Sequence, residues 1–488
     1  MEQIDHLLAT IKQHNPEADL ELIKKAYDFA SAAHAGQKRL TGEPYITHPL
    51  ATAQILAEMQ LDTTIIAAGL LHDVPEDTAV SLAEVRKNFG DDIVSIIAGI
   101  TKLGKIKYRG VVRYLENLRK MFLAFAKDIR IILVKFADRL HNLQTLSALP
   151  EKKRYRIALE SLEIYAPIAA RLGMGEMRGS LEDAAFKYVM PEEYEWVKGI
   201  EAEIYKQKEE SLEKIKKQTQ KEFEDAGIKI IKTQARIKHL YSLYKKLVRN
   251  DRDINKIHDL LALRLIVKDI TDCYAALGVV HKLWRPLKGR IKDYIAQPKP
   301  NGYQSLHTTV FGLDGLIVEF QIRTEKMHED AEYGIAAHWH FHENGSKIPS
   351  RYVSWVKELA SLQKKMVAEL KLQDIESLKI DVFQNRIFVF TPKGDVLDLP
   401  ENATPVDFAY AVHTEIGNKC VGARVNDQLV GLDTTLKNGD MVEIIIDKNR
   451  KGPSADWLKF AHTRLARSQI KTHTRFSLSS LLKSRMRK

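Results

Sequence analysis

Residues 63–78 read TTIIAAGLLHDVPEDT, and this stretch decides the first fold assignment. Its first nine residues carry no charge and read as an apolar helix that leads to His72-Asp73. Pro75 cannot donate to a helix ladder and pushes Val74 out of the helical region, so the helix ends or kinks at His72-Asp73. Two other segments supply matching groups: His48 in EPYITHP (43–49) and Asp138 in VKFADRLHN (134–142). Two imidazoles with two carboxylates form a mixed nitrogen and oxygen set, which suits a divalent cation such as Mn2+ better than an all-oxygen Mg2+ shell. Asp138 and Asn142, four apart on a helix, share a face, as would His72 and Glu76. Each residue alone reads as a satisfied core polar group; their coincidence carries the functional reading.

Working outward, ELIKKAYDFASAAH (21–34), PLATAQILAEM (49–59), LAEVRKNFG (82–90), LENLRKMFLAFA (115–126) and IRIILVKFADRLHNLQTL (129–146) repeat apolar residues at three and four. An all-α domain over 1–196 is expected. From about 200 to 225 a highly charged helix has an apolar stripe too narrow for a core element and reads as a connector. Past Gly227 the pattern changes to β-branched runs, IKIIKTQARI, LLALRLIV, HTTVFG and LIVEFQIRT, interleaved with ITDCYAALGVVHKLW. These predict an α+β domain which, with the connecting helices, spans 197–345. A helical linker over 346–383 leads to IFVFTPKGDVLDLP, a helix after Thr404-Pro405, CVGARVNDQLV and DMVEIIID. Hairpin, helix, then more strands predict a small β-grasp domain over 384–447.

A second constellation lies in the α+β domain. ARIKHLYSLYKKLVR (235–249) sets Arg236, Lys238, Ser242 and Lys246 at helical or near-helical spacing, giving donors for a polyphosphate or simply a basic exposed face. Asp259 opens one strand and Glu319 lies in another, so two carboxylates can meet across a sheet and hold Mg2+ with nucleotide phosphates. GRIKDYIAQPKPNGYQSLHTTV (289–310) adds Arg290, Lys292, Lys299 and Asn301 around Tyr303, an aromatic suited to stacking on a base. No GxxxxGK[ST] string occurs, so the domain is not a P-loop enzyme.

The strings GQKRLTGEPYITHP, LLHDVPEDT, TKLGKIKY and ILVKFADRLHNLQTL resemble the HD-type hydrolase domain of the RelA/SpoT family. The resemblance implies that His48, His72, Asp73 and Asp138 hold Mn2+, that Glu76 and Asp77 position or activate water, and that Lys38, Arg39 and Asn142 hold ppGpp. The segments of the second constellation, with HEDAEYGIAAHWHF (328–341), resemble the synthetase domain of the same family, whose fold is nucleotidyltransferase-like. There the resemblance implies ATP on Arg236, Lys238 and Lys246, guanine of GDP or GTP on Tyr303, and Mg2+ on Asp259 and Glu319, with Glu319 also the base for the ribose 3′-OH. Arg290-Ile291-Lys292-Asp293 matches the RxKD variant of bifunctional members, in agreement with the intact HDxxED of 72–77. Residues 384–446 resemble the family's TGS domain, which implies contact with deacylated tRNA on the ribosome through His413. The likeness fades after about residue 470, and the further C-terminal domains of long members are not recognisable.

The bulk properties agree with this reading. The chain has 488 residues, 44% hydrophobic and 28% charged, and no run of apolar residues that could span a bilayer. Two cysteines, Cys273 and Cys420, offer neither a disulfide framework nor a thiolate zinc site, and no signal peptide is visible. A cytoplasmic setting is expected. The net charge of +11 resides entirely in 448–488, where twelve Lys and Arg face one acid, Asp456. A basic tail on a neutral body reads as a ribosome or nucleic-acid contact, or as a solvated tail without a partner. The leading expectation is a bifunctional enzyme that makes and hydrolyses (p)ppGpp. The alternatives are an HD phosphohydrolase of other nucleotides with a silent second domain, and an RNA-binding regulator with both catalytic domains inactive.

Overall fold

The computed structural model describes residues 2–104, 124–125, 127–257, 260–299, 301–339, 386–393, 395–437, 439–450 and 452–485. The chain divides into two compact units, Met1–Val367 and Ala368–Lys488. Among the described residues no helix is long and apolar enough to cross a membrane.

The first unit begins with ten helices among its described residues: α1 (Glu2–His14), α2 (Leu20–Ala33), α3 (Thr47–Glu58), α4 (Thr63–Leu71), α5 (Val74–Asp77), α6 (Leu82–Gly104), α7 (Arg130–Gln144), α8 (Glu151–Glu160), α9 (Ala166–Arg171) and α10 (Gly175–Val189). Helix α4 is the hub, with eight of its nine residues buried, as its uncharged sequence requires. Asp62 caps it by accepting from Ile65 N at 2.9 Å. At Gly69 an added Cβ would come within 2.5 Å of Leu56 Cδ1, so α3 and α4 are in close contact there. Pro75 stands in the first turn of α5, and His72 and Asp73 lie at the break between α4 and α5. The predicted interruption is present, but Val74 is not pushed out of the helical region: it opens α5, where Pro75 in the first turn has no helix hydrogen bond to lose. Helix α7 buries Ile131, Ile132, Leu133, Val134, Phe136, Leu140 and Leu143. Most of the predicted helix 115–126, much of TKLGKIKY and the linker 346–383 lie outside the described residues.

Helix α11 (Pro191–Asp225) is one 35-residue element running through the expected boundary at 196. The connector reading needs correction. Leu212, Ile215 and Phe223 are buried in the core of the α+β domain, and buried Thr219 accepts from Trp284 Nε1 at 3.3 Å. Spacings of three and four put these residues on one line, and a narrow line suffices because the apolar face of a sheet covers it.

That sheet comprises β1 (Ile230–Ile237), β2 (Leu261–Val267), β3 (Arg285–Pro286), β4 (Lys292–Asp293), β5 (Leu306–Phe311) and β6 (Ile317–Thr324), in the order β1-β2-β6-β5-β3 with β4 also on β5. Only the β2/β6 pair is parallel. Its helices are α12 (Leu240–Arg249), α13 (Ile270–Leu283), α14 (Glu325–Tyr333) and α15 (Ile335–Trp339). Because side chains alternate along a strand, Leu261, Leu263, Leu265, Leu306, Val318, Phe320 and Ile322 share the core while Arg264, His307, Glu319, Gln321 and Arg323 point the other way. ARIKHLYSLYKKLVR is thus not one helix: Arg236 lies near the end of β1, Lys238 lies in the connection, and Ser242 and Lys246 ride on α12. Pairing of Arg236 with Ala262 wins over the helical spacing.

In the second unit the hairpin β7 (Arg386–Phe390) and β8 (Val396–Pro400) precedes α16 (Pro405–Val412), α17 (Thr414–Lys419), and β9 (Cys420–Val425), β10 (Gln428–Val430) and β11 (Val442–Ile446) in the order β10-β9-β11. A parallel bridge from Phe390 to Met441 joins hairpin and sheet, completing the expected β-grasp. Ile387, Val389, Leu399, Phe408, Leu436 and Val442 fill its core. The segment expected as a tail is partly built in: Trp457, Ala461, Ala466 and Ile470, the last two on α18 (Arg464–Arg485), pack against Val406, Ala409 and Tyr410 of α16. Its apolar residues at Trp457, Ala461 and Ile470 outweigh the basic composition locally.

Candidate functional sites

At the break after α4, His72 donates from Nδ1 to Gly69 O at 2.7 Å, which leaves the lone pair of Nε2 facing inward. That Nε2 is buried and has no hydrogen-bond partner. It lies 3.2 Å from Asp73 Oδ1 and 3.9 Å from Asp138 Oδ1. His48, in the first turn of α3, places Nε2 3.2 Å from Asp138 Oδ1 and 3.5 Å from Asp73 Oδ2. His48, His72 and Asp138 offer ligand atoms all within 4.8 Å of one another. Nitrogen lone pairs and carboxylate oxygens converging in a buried pocket repel unless a cation lies between them. The residues present fit a divalent metal.

The orientation of His48 is set by His141, one turn beyond Asp138 on α7. The two Nδ1 atoms are 2.7 Å apart and the rings stack at 4.9 Å. Arg39 Nη1 approaches the same His141 Nδ1 at 3.4 Å. A guanidinium only donates, so His141 Nδ1 is the acceptor and His48 Nδ1 the donor. Burial, with His48 and Arg39 nearby, pushes His141 down to about 4, which keeps the ring neutral in this role.

Asp73 is held by Tyr45, whose hydroxyl donates to Asp73 Oδ2 at 3.0 Å and to Asp77 Oδ2 at 2.6 Å. Burial and the Asp73 carboxylate keep that phenol well above its ordinary value. Burial alone would raise the Asp138 carboxyl, but the Lys135 ammonium, at 2.6 Å, holds it well below the usual range. Asn142 donates to Asp138 and accepts from Arg39 Nη2 at 3.2 Å. Glu76 and Asp77 lie on α5 beside this cluster, and burial raises the Glu76 carboxyl against the pull of Lys135. A cleft of about 520 Å³ opens over the cluster, lined by Lys38, Arg39, Lys135, Arg139 and Lys153. Such a concentration of cations suits a polyanion.

On the polar face of the sheet, pairing sets Arg236 opposite Ala262 and Ala262 opposite Glu319. Glu319 accepts from His307 Nδ1 at 3.1 Å and from Gln321 Nε2 at 2.7 Å. His307 Nε2 in turn meets Tyr303 Oη at 2.7 Å. Asn301 Oδ1 accepts from Tyr303 N at 3.2 Å and so shapes the turn. Lys299 Nζ sits over the rings of Tyr294 and Tyr303 at 4.5 and 4.8 Å; burial and Lys292 push it down to about 8. A small cavity of about 90 Å³ is lined by Arg236, Lys238, Ser242 and Glu319. Lys246 is on α12, and Arg290 and Lys292 flank the start of β4. Asp259 lies outside the described residues. In the second unit His413 accepts from Glu415 N at 3.2 Å and thereby caps α17.

Sequence reasoning missed Tyr45, His141, His307 and Gln321. Only His141 had a signal, its spacing of three from Asp138 on the same helix.

The geometry defines a multidomain protein with a candidate metal centre among helices, a mixed sheet with a polar face and a β-grasp unit. Models of three families match in that order: HD domain at 26–175, "Region found in RelA / SpoT proteins" at 235–346, and TGS domain at 387–446. The chain belongs to the RelA/SpoT family. It is 47% identical over 455 residues to a Synechocystis protein named probable guanosine-3′,5′-bis(diphosphate) 3′-pyrophosphohydrolase, covering 92% of this chain and 60% of that one. It is 46% identical to the Aquifex aeolicus protein named guanosine-3′,5′-bis(diphosphate) 3′-pyrophosphohydrolase, covering 96% and 66%. It is 44% identical to a Mycobacterium tuberculosis protein named bifunctional (p)ppGpp synthase/hydrolase RelA, covering 96% and 64%. The chain thus spans about three fifths to two thirds of the length of these relatives.

Proposed function

We propose that the chain is a bifunctional alarmone enzyme of the stringent response. It would transfer pyrophosphate from ATP to the 3′-OH of GDP or GTP, and remove the 3′-pyrophosphate of ppGpp at a separate site. The observation that carries the reading is the convergence of His48, His72, Asp73 and Asp138 beneath a cationic cleft, in a chain whose sheet also sets Glu319 and Arg236 on one face, across Ala262. Relatives named for each activity support it.

In the hydrolase reaction Lys38 and Arg39, with Asn142 fixing the guanidinium, take the nucleotide, and Glu76 and Asp77 orient water and accept its proton. Mn2+ held by the two histidines and two aspartates would polarise the phosphate and make that water more acidic. In the synthetase reaction Arg236, Lys238, Ser242 and Lys246 hold the ATP phosphates, and Tyr303 stacks on guanine with Lys299 and Asn301 around it. Arg290 and Lys292 add charge at the acceptor. Glu319 takes the 3′-OH proton, the oxygen bonds to the β-phosphorus, the bond to the α-phosphate oxygen breaks, and AMP leaves. Mg2+, with Asp259 and Glu319 as ligands, would neutralise phosphate charge. Deacylated tRNA and the ribosome are the partners proposed for the TGS unit, through His413 and the basic C-terminal segment. The setting proposed is cytoplasmic.

Radiolabelled assays on purified full chain test the reading, with ATP plus GDP and Mg2+, and with ppGpp and Mn2+. Glu319→Gln should abolish only the first reaction and Asp73→Ala only the second. Turnover in neither assay would refute it.

A further inference from the structure

Helix α12 begins without a cap of its own: His239, its N-cap residue, makes no side-chain capping bond. The first backbone N–H groups of a helix need an acceptor, and the positive end of the helix favours an anion. The acceptor comes from another domain. Asp183, on α10 of the helical domain, accepts from Tyr241 N with Oδ1 at 2.9 Å and from His239 Nδ1 with Oδ2 at 2.8 Å.

The preceding residue extends the contact. Glu182, 6% exposed, takes Lys245 Nζ at 3.0 Å and Arg178 Nε at 3.1 Å, and its other oxygen is 3.5 Å from Ser242 Oγ. Phe186, two turns after Gly179 on α10, packs against the rings of Tyr241 and Tyr244 at 5.2 and 5.1 Å. His239 lies directly on Gly179, where an added Cβ would come within 2.1 Å of its Nε2. Ser242 lines the cavity shared with Arg236, Lys238 and Glu319, so movement of α12 moves that wall of the site.

We infer that Asp183 caps α12 across the domain boundary and that, with Glu182, it acts as a positioning residue for the synthetase reaction, setting where α12 presents Ser242 and Lys246 to ATP. This rests on the synthetase reading above. It makes the helical domain part of the ATP site's support, by a route that uses none of the hydrolase residues.

The test uses the full chain. Asp183→Ala raises the KM for ATP about fivefold, the factor to which an ordinary helix N-cap corresponds. The KM for GDP, kcat and Mn2+-dependent ppGpp hydrolysis stay within about twofold, since uniform ATP binding is what is lost. Asp183→Asn keeps an acceptor oxygen for Tyr241 N, though not the second one that takes His239, and recovers most of the ATP binding, because Asn caps as well as Asp. Gly179→Ala, which displaces His239 without removing a charge, shows the Asp183→Ala defect. Amide exchange at Tyr241 to Leu243 quickens in Asp183→Ala and not in Asp183→Asn. An unchanged KM for ATP in Asp183→Ala, an Asn variant as defective as Ala, or parallel loss of both activities overturns the inference. If the wild type itself makes no product, the synthetase reading fails, and unchanged exchange at α12 in Asp183→Ala would sink the cap separately.

Discussion

His141 Nδ1 accepts from His48 Nδ1 across 2.7 Å, joining α7 to the start of α3. Neither atom belongs to the candidate ligand set, yet the bond fixes which nitrogen of His48 faces Asp138. Partners of this kind, once removed, typically cost 10–100-fold in metal affinity. His141→Phe, which keeps a planar ring and loses the acceptor, should weaken Mn2+ binding by roughly that factor. Titration of metal-free protein by calorimetry measures it. Affinity equal to wild type would mean that His48 is oriented by other contacts.

The elements were legible in the sequence where a single physical demand decided them. The uncharged 63–71 reads as an apolar helix, and Pro75 places its end at His72-Asp73. His48, His72 and Asp138, which the fold brings together, were legible through the strings that resemble the family rather than through nearness along the chain. Groups that hold site residues in place were not: His48 and His141 are 93 residues apart, and Asp183 and Tyr241 are 58 apart. Helix α11 shows the opposite failure. Its charges are what the sequence displays, whereas the line of Leu212, Ile215, Thr219 and Phe223 gains meaning only when the apolar sheet face is known.

The contact between His239 and Asp183 makes a statement about pH. Burial opposes the charged imidazole, but Asp183 and Glu176 raise it to about 9. An unfolded histidine titrates near 6.5, so the stabilisation is complete below that value and is lost as pH rises through about 9. Arg236 and Arg264 lie near Glu176 and act on it in the same direction as His239. Lys245, pushed down by burial at this interface, titrates in wild type and variant alike and cancels in a difference. The gap in thermal stability between wild type and His239→Gln should therefore narrow from pH 7 to pH 9.5. A gap that stays constant or widens would show that the imidazolium does not stabilise the interface.

Asp407 in the second unit gathers hydrogen bonds from Thr404, His462 and Thr463. Its carboxylate is fully buried and accepts from Thr404 N and Oγ1, each at 2.9 Å, which closes the first turn of α16. It also accepts from His462 N at 3.0 Å and from Thr463 N and Oγ1 at 2.7 and 2.9 Å. One side chain thus caps α16 and anchors the entry to α18, where Ala466 and Ile470 pack on the β-grasp core. Asp407→Ala leaves several buried donors unpaired, and bonds to a charged acceptor are worth about 1.5–3 kcal/mol each without being additive, so a loss on the order of 3 kcal/mol or more is expected. The Trp457 contact should open first, because it depends on the anchored segment. Limited proteolysis of the variant should release the region after residue 447, and tryptophan fluorescence should shift to the red. A variant as resistant as wild type would mean that apolar packing of Trp457, Ala466 and Ile470 holds the segment without the carboxylate.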